Sequence, residues 1–429
     1  MKKFIYCFGL AVLLLLKNNY IVSAASNPPA ASADSVVLMD AKTGTILYSK
    51  NPDAAYPPAS TTKTMTALLT LENTNLTDQV TIGRNPPFEE GSAVGIKEGE
   101  ILTVKDLLYG LMLESGNDCA AALAEHIAGS KEKFAAMMNE RAKELGATNT
   151  NFVNPSGLYD ANHKTSARDL ALIMRELVKF NEYKTIAMSP FYKIQPTNKT
   201  AEERYVNNKN RLVLKSNASY YKDAIGGKTG YTIESKHSYV AAAERNGQTL
   251  IAALVHDSVK TYFDDTINLF EYGFNNFELK QLFSKGQQLS TFNIDDQTSI
   301  PLVASEDFYY ACEKNSTDTP SVSVTQPKIS NRSLSRGETV TEASIMYKDT
   351  NLAKVELSSG IDYEYKVPVA AVVATTVNYI PIILKYTLYS VGIILALIVF
   401  FLLITKKRRR RLKRKRFYEA KHSRKYRDF

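Results

Sequence analysis

Pro57-Pro58-Ala59-Ser60-Thr61-Thr62-Lys63 punctuates the chain and then opens into Met65, Leu68, Leu69 and Leu71, apolar residues at helical spacing. Prolines followed by a serine and a 3.6-period run predict a helix with Ser60 in its cap position. A serine there presents its hydroxyl, and its backbone N–H joins the unpaired donors of the first turn, ready to hold an oxyanion. Lys63, three residues on, falls on the same helical face. If burial and positive neighbours lower its pKa, it can take the hydroxyl proton. Serine needs such a base because its free hydroxyl is a weak nucleophile at neutral pH.

Two further motifs follow in order, Ser115-Gly116-Asn117 and Lys228-Thr229-Gly230. Each type of motif recurs elsewhere: Ser-x-x-Lys at Ser130/Lys133 and Ser219/Lys222, Ser-x-Asn at Ser49/Asn51, and Lys-Thr-Gly at Lys42-Thr43-Gly44. The decoy serines lie in polar stretches read as uncapped, and the Lys42 triplet reads as a hairpin bend. Only one set runs in the order Ser-x-x-Lys, Ser-x-Asn, Lys-Thr-Gly with each member in suitable local structure. Lys228, on a strand, supplies a second cation that favours neutral Lys63 and attracts a substrate carboxylate. Gly230 is expected to clear space where substrate lies against strand backbone, and Asn117 can both donate to and accept from a peptide group.

Working outward, Ser35–Met39 and Thr45–Tyr48 read as two strands joined by the turn at 40–44. Thr103 with Asp106 is a capping pattern before Leu107–Met112. An Ala-rich helix is expected from Asn117 to Ala128, another from Lys131 to Leu145, and Thr165-Ser166 caps a third. Ala224–Gly230 and Tyr239–Val255 read as strands again. Strands at both ends with helices between predict an α+β fold, a sheet built from both termini and covered by helices. After Phe274 short alternating runs indicate a small all-β domain, with Asn315–Arg336 expected as a long surface loop.

The two ends read as addresses. Lys2-Lys3, the uncharged run Phe4–Leu16 and the small residues before Ala25 make a secretory signal peptide, with Cys7 in the removed piece. Thr387–Thr405 is uncharged and mostly Ile, Leu, Val and Phe, with Tyr386 and Tyr389 at one edge and Lys406–Arg411 at the other. That is long enough for one C-terminal transmembrane helix whose basic flank stays cytoplasmic. Of the formal charge of +9, residues 406–429 supply +12 and residues 1–25 supply +3, leaving −6 for the body. A mildly acidic body disfavours a nucleic-acid binder. Cys119 and Cys312 are expected as separately buried thiols. His126, His163, His237 and His256 show no metal-ligand spacing and no glycine-rich phosphate loop is present, so neither a metal nor a cofactor is expected. His163 reads as a structural hydrogen-bonding residue.

The ordered motifs, with Val37-Leu38-Met39-Asp40, Asn154-Pro155-Ser156-Gly157-Leu158, His163, Ala167-Arg168-Asp169-Leu170 and Gly227–Thr232, closely resemble the low-molecular-mass penicillin-binding D-alanyl-D-alanine carboxypeptidases over residues 33–275. The resemblance implies the antiparallel, helix-covered sheet of serine β-lactamases and penicillin-binding proteins. It further implies a cofactor-free serine carboxypeptidase that removes the terminal D-alanine of peptidoglycan stem peptides and is acylated by β-lactam antibiotics. On the matching positions, Ser60 would form the acyl-enzyme, Lys63 act as base and Ser115 relay protons. Asn117, Lys228, Thr229, Gly230 and Tyr231 would bind substrate, with the Ser60 and Tyr231 N–H groups as oxyanion hole and Lys209 as a further carboxylate contact. Class A β-lactamases add a Glu-x-x-Leu-Asn loop, whereas Thr148–Pro155 contains no carboxylate, so fast penicillin hydrolysis is not expected. The alternatives are a D,D-endopeptidase or β-lactamase on the same site, or an inactive wall-binding scaffold. The expected organisation is signal peptide 1–25, peptidase domain 26–275, β domain 276–377, membrane anchor 378–405 and cytoplasmic tail 406–429, with the catalytic domain on the outer face of a bacterial membrane.

Overall fold

The computed structural model describes residues 28–294, 298–327, 329, 332–366 and 369–424; the expected signal peptide lies outside them. Strands β1 (Ser35–Asp40) and β2 (Ile46–Lys50) form the expected hairpin, with Leu38 opposite Tyr48. Its bend is the Lys42-Thr43-Gly44 triplet: Asp40 Oδ1 accepts from the Thr43 N–H and hydroxyl at 2.9 Å, and Gly44 supplies a φ of +74°. Helix α1 (Lys63–Asn73) follows, then the short strands β3 (Gln79–Thr81) and β4 (Ile101–Thr103). Helix α2 (Val104–Tyr109) starts with the expected capping box between Thr103 and Asp106. Next come α3 (Asn117–Ala128), α4 (Lys131–Glu144), α5 (Ala167–Leu177) and α6 (Asn181–Met188). After the hairpin β5 (Phe191–Ile194) and β6 (Arg204–Asn207), the chain returns to the main sheet through β7 (Ala224–Thr232), β8 (Lys236–Arg245) and β9 (Gln248–Asp257), ending in α7 (Tyr262–Asn276).

The sheet order is β2-β1-β9-β8-β7, antiparallel throughout, so the first and last strands of this region meet at the β1–β9 ladder, Val37 opposite Ala253. Both faces are buried, and the two-residue period divides them. Val37, Met39, Val240, Ala242, Ile251 and Ala253 face the core shared with α1, α3 and α5. Val36, Leu38, Ala241, Ala243, Leu250 and Ala252 face Leu269, Phe270 and Phe274 of α7. That two-sided burial explains why these strands read as continuous apolar runs, with alanines that let helices approach closely.

Two local expectations are corrected. Ser60 is not an N-cap: it lies inside a 3₁₀ turn, Ala59–Thr62, that runs straight into α1, and no side chain caps the turn. The decoy Ser130, read as uncapped, is the true cap of α4 and accepts from the Lys133 N–H at 3.2 Å. Glutamate in the first turn and basic residues in the last make α4 stable by local rules, whereas the Ser60 turn is held by tertiary contacts described below.

The chain divides into two compact units. The first holds the chain up to Lys285 with Asp307–Ser321 and Tyr347–Thr350, and so includes the antiparallel pair β10 (Phe277–Phe283) and β13 (Phe308–Glu313). The second holds Gly286–Glu306, Val322–Met346 and the chain from Asn351 onward. A five-stranded sheet, β11-β12-β16-β15-β14, is formed by β11 (Gln288–Asn293), β12 (Ser299–Ala304), β14 (Ser321–Val324), β15 (Thr339–Tyr347) and β16 (Thr350–Ser359). Asn315–Arg336 is therefore not wholly loop, because its Ser-Val-Ser-Val segment alternates well enough to add an edge strand. Helix α8 (Val369–Arg424) contains a stretch, Tyr379–Glu419, long and apolar enough to cross a membrane, with mean hydropathy 2.8 in its most apolar window. It does not stop at Thr405 but carries the basic residues onward. Cys119 and Cys312 are both free and buried.

Candidate active site

Three separate elements converge on one point. The Ser60 turn precedes α1, Ser115 and Asn117 straddle the start of α3, and Lys228 sits on β7, the edge strand of the main sheet. Ala59 has a φ of +50°, a left-handed conformation that an alanine adopts only under tertiary constraint. Gly157 provides that constraint: a Cβ at 157 would lie 1.9 Å from the Ala59 carbonyl oxygen, so only glycine lets the 154–158 loop close against the turn. The loop itself is pinned by Asn154, whose Oδ1 accepts from the Ser156 N–H at 3.2 Å and the Gly157 N–H at 2.8 Å. On the other side, a Cβ at 230 would sit 2.8 Å from both the Pro58 oxygen and the Ser60 nitrogen. Gly230 thus lets β7 pack against the Ser60 turn, a stricter demand than the substrate clearance expected from sequence.

Lys63 is fully buried, and its Nζ lies 3.1 Å from Ser60 Oγ, 2.6 Å from Asn117 Oδ1 and 2.6 Å from the Ser156 carbonyl. The Asn117 amide orientation follows from its other end, where Nδ2 donates to the Glu90 carbonyl at 2.5 Å. Two of the three Lys63 neighbours are thus pure acceptors. A neutral amine has two N–H donors for them and one lone pair left, and the remaining neighbour is the Ser60 hydroxyl. Burial, first, and the Lys228 ammonium, second, hold the Lys63 pKa well below that of an ordinary lysine. The arrangement is that of a base aimed at a nucleophile.

Lys228, also buried, donates to Ser115 Oγ at 3.0 Å and to the Thr229 carbonyl at 2.8 Å. Burial, and then the Lys209 ammonium, bring its pKa down to about 7. Ser115 has a left-handed φ of +67° where a π-helical turn, Gly110–Glu114, gives way to α3. That break in helix geometry turns its hydroxyl to Lys228 instead of along the helix axis. Lys209 donates to the Glu114 carbonyl at 2.9 Å and pairs with its carboxylate at 2.7 Å.

Ser60, Ser115, Thr229, Gly230 and Tyr231 line one cleft of about 590 Å³. Lys63, Asn117 and Lys228 lie behind its wall, joined to it through the hydrogen bonds above. All eight residues expected at the site are thus brought together. The cleft also takes in Ser92, Lys209, His237, Lys260 and Tyr262. His237 stacks on Tyr231 with ring centroids 4.4 Å apart. Of these additions only Lys209 had a sequence signal, as the basic residue in Asn208-Lys209-Asn210. His163 is a structural residue, as expected: its Nδ1 accepts from the Val153 N–H at 3.1 Å, leaving the Nε2–H to donate to Thr62 Oγ1 at 2.8 Å. Among the described residues no carboxylate hydrogen-bonds to Ser60, Lys63, Ser115, Asn117 or Lys228, and no group of three His, Cys, Asp or Glu side chains is arranged to hold a metal ion.

Residues 22–258 match the family described as D-alanyl-D-alanine carboxypeptidase, and residues 277–365 match the C-terminal domain of penicillin-binding protein 5. The chain is 34% identical over 285 residues to D-alanyl-D-alanine carboxypeptidase DacF of Bacillus subtilis, covering 65% of this chain and 72% of that protein. It is 35% identical over 248 residues to D-alanyl-D-alanine carboxypeptidase DacB2 of Mycobacterium tuberculosis, covering 56% of this chain and 82% of that protein. Among solved structures, penicillin-binding protein 5 of Haemophilus influenzae superposes with a TM-score of 0.66 at 29% identity, over 79% of this chain and 99% of that one.

Proposed function

The chain belongs to the D-alanyl-D-alanine carboxypeptidase family and is a serine-type hydrolase of that class; we propose that Ser60 is its nucleophile, Lys63 the base that activates it, and Ser115 the relay that returns the proton. The observation that carries this is the Lys63 environment: a buried amine whose two carbonyl partners leave its lone pair for Ser60 at 3.1 Å.

In this reading the stem peptide lies along the free outer edge of β7, adding a strand to the sheet. Thr229 and Lys228, assisted by Lys209, receive its terminal carboxylate, and Asn117 holds its peptide group. Ser60 Oγ attacks the carbonyl of the penultimate D-alanine while its proton passes to Lys63. The developing oxyanion is held by the backbone N–H groups of Ser60 and Tyr231. Ser115, linked to Lys228, carries a proton to the departing amine, the C–N bond breaks and D-alanine leaves. Water then attacks the Ser60 ester, frees the shortened peptide and restores the hydroxyl. β-Lactams enter the same first step, but their ring-opened product stays tethered and blocks the water.

The remaining organisation follows from the same reading. Residues 1–25 export the chain, 26–275 carry the chemistry, 276–377 form the β domain, and 378–405 of α8 span the membrane. The basic flank stays in the cytoplasm, which puts the cleft on the outer face beside the peptidoglycan. The direct test is labelling with a fluorescent penicillin. Ser60→Ala is expected to abolish labelling while leaving circular dichroism and Tm unchanged; labelling that survives in the folded variant contradicts the assignment.

A further inference from the structure

Helix α8 runs without interruption from Val369 to Arg424, so the uncharged run Thr387–Thr405 and the six cations Lys406–Arg411 share one axis. At 1.5 Å per residue the uncharged run is about 28 Å long, close to the ~30 Å hydrocarbon core of a bilayer. The six cations occupy about the next 9 Å of the same rod, close to the depth of one headgroup layer, ~5–8 Å; past Leu412, Lys413–Arg416 carry the basic run on to about 16 Å, beyond that layer. Successive helical residues are rotated by about 100°, so six in a row point in every direction around the axis. They form a collar, not a stripe.

All six are exposed, and among the described residues none of their side chains has a hydrogen-bond or ion-pair partner. The first acidic residue after them is Glu419. A partner protein would engage one face of the helix, and a duplex or single-stranded nucleic acid would follow its length. The six cations that directly follow an apolar run of membrane thickness lie at headgroup depth and surround the axis, which matches a ring of anionic lipids, with Lys413–Arg416 beyond it on the aqueous side.

We propose that Lys406–Arg411 form a collar that binds the phosphate and anionic headgroups of acidic phospholipids in the leaflet at that end of α8. This rests on the membrane-spanning placement of α8 proposed above. Binding there would hold the helix at a fixed depth and surround its basic end with anionic lipids, beyond the role of the same charges in setting orientation.

The test uses the full chain reconstituted in phosphatidylcholine vesicles that carry trace spin-labelled phosphatidylglycerol or spin-labelled phosphatidylcholine. Electron paramagnetic resonance reads the fraction of label slowed at the protein surface. The glycerol lipid is expected to associate about fivefold more strongly than the choline lipid for each contact with a basic side chain, a preference lost at high salt and lost in the variant with all six of Lys406–Arg411 changed to Gln although Lys413–Arg416 remain. Equal association of the two labels overturns the proposal. So does a preference that survives in the variant. Absence of a slowed fraction for either label refutes the span itself, and the collar with it. A short RNA that binds the reconstituted chain, with equal association of the two labels, assigns the basic run to nucleic acid instead.

Discussion

Replacing Gly230 with alanine separates two physical accounts of the third position of the Lys228-Thr229-Gly230 triplet. The added Cβ would lie 2.8 Å from the Pro58 oxygen and the Ser60 nitrogen and 3.0 Å from the Thr61 nitrogen, all backbone atoms that no side-chain rotation can relieve. Restoring ordinary contact requires the Ser60 turn or β7 to move by about half an ångström. Overpacking of this kind costs about 1–3 kcal/mol, which for a catalytic domain of this size lowers Tm by roughly 2–10 °C. Since a 1 Å misplacement of reacting groups costs about a hundredfold in rate, half of that is worth about tenfold. Gly230→Ala is therefore expected to slow acylation of Ser60 by penicillin about tenfold, measured by stopped-flow, and to lower Tm in parallel by calorimetry. If glycine were there only to clear substrate, KM for a D-Ala-D-Ala peptide would rise while Tm stayed unchanged. That result would refute the packing argument.

Other perturbations test the rest of the site. Lys228→Ala removes the cation that most depresses the Lys63 pKa; the base acts when neutral, so the low-pH limb of acylation should move to higher pH, and a limb that stays in place contradicts the coupling. His163 is held neutral by burial, its pKa lowered to about 4 from an ordinary 6.5. The unfolded chain then binds the extra proton between those values, so stability falls as pH drops from 6.5 to 4, by up to about 3 kcal/mol. His163→Gln should flatten that loss in urea titrations at several pH values, and an unchanged slope would refute it. Because among the described residues no carboxylate hydrogen-bonds to the Ser60–Lys63 pair, a penicilloyl adduct should persist from minutes to hours by intact-protein mass spectrometry; rapid release with turnover of the antibiotic would point to a β-lactamase.

How much was legible in the sequence depended on how local each requirement was. Ser60 with Lys63 lies within one turn, Ser115 with Asn117 within three residues at a helix start, and Lys228-Thr229-Gly230 within one strand, so short spacings in one fixed order, set against their decoys, carried them. The meeting of β1 with β9 followed from strands at both ends of a helical region. The local geometry of the nucleophile did not follow: a capping serine and Ser60 look alike in sequence, because what holds the 3₁₀ turn is Gly157 and Gly230, respectively 97 and 170 residues away. The same distance hid Ser92, His237, Lys260 and Tyr262, which enter the cleft from loops, the start of β8 and the start of α7. The Ser115 hydroxyl depends on a π-helical turn that has no propensity signature in Gly110–Glu114.

The most direct measurement is release of D-alanine from a diacyl-Lys-D-Ala-D-Ala peptide by the full chain in detergent, beside its Ser60→Ala and Lys63→Ala variants. Release by the parent alone, with both variants folded, is the predicted result. Release by either variant, or none from the folded parent, would contradict the Ser60–Lys63 mechanism.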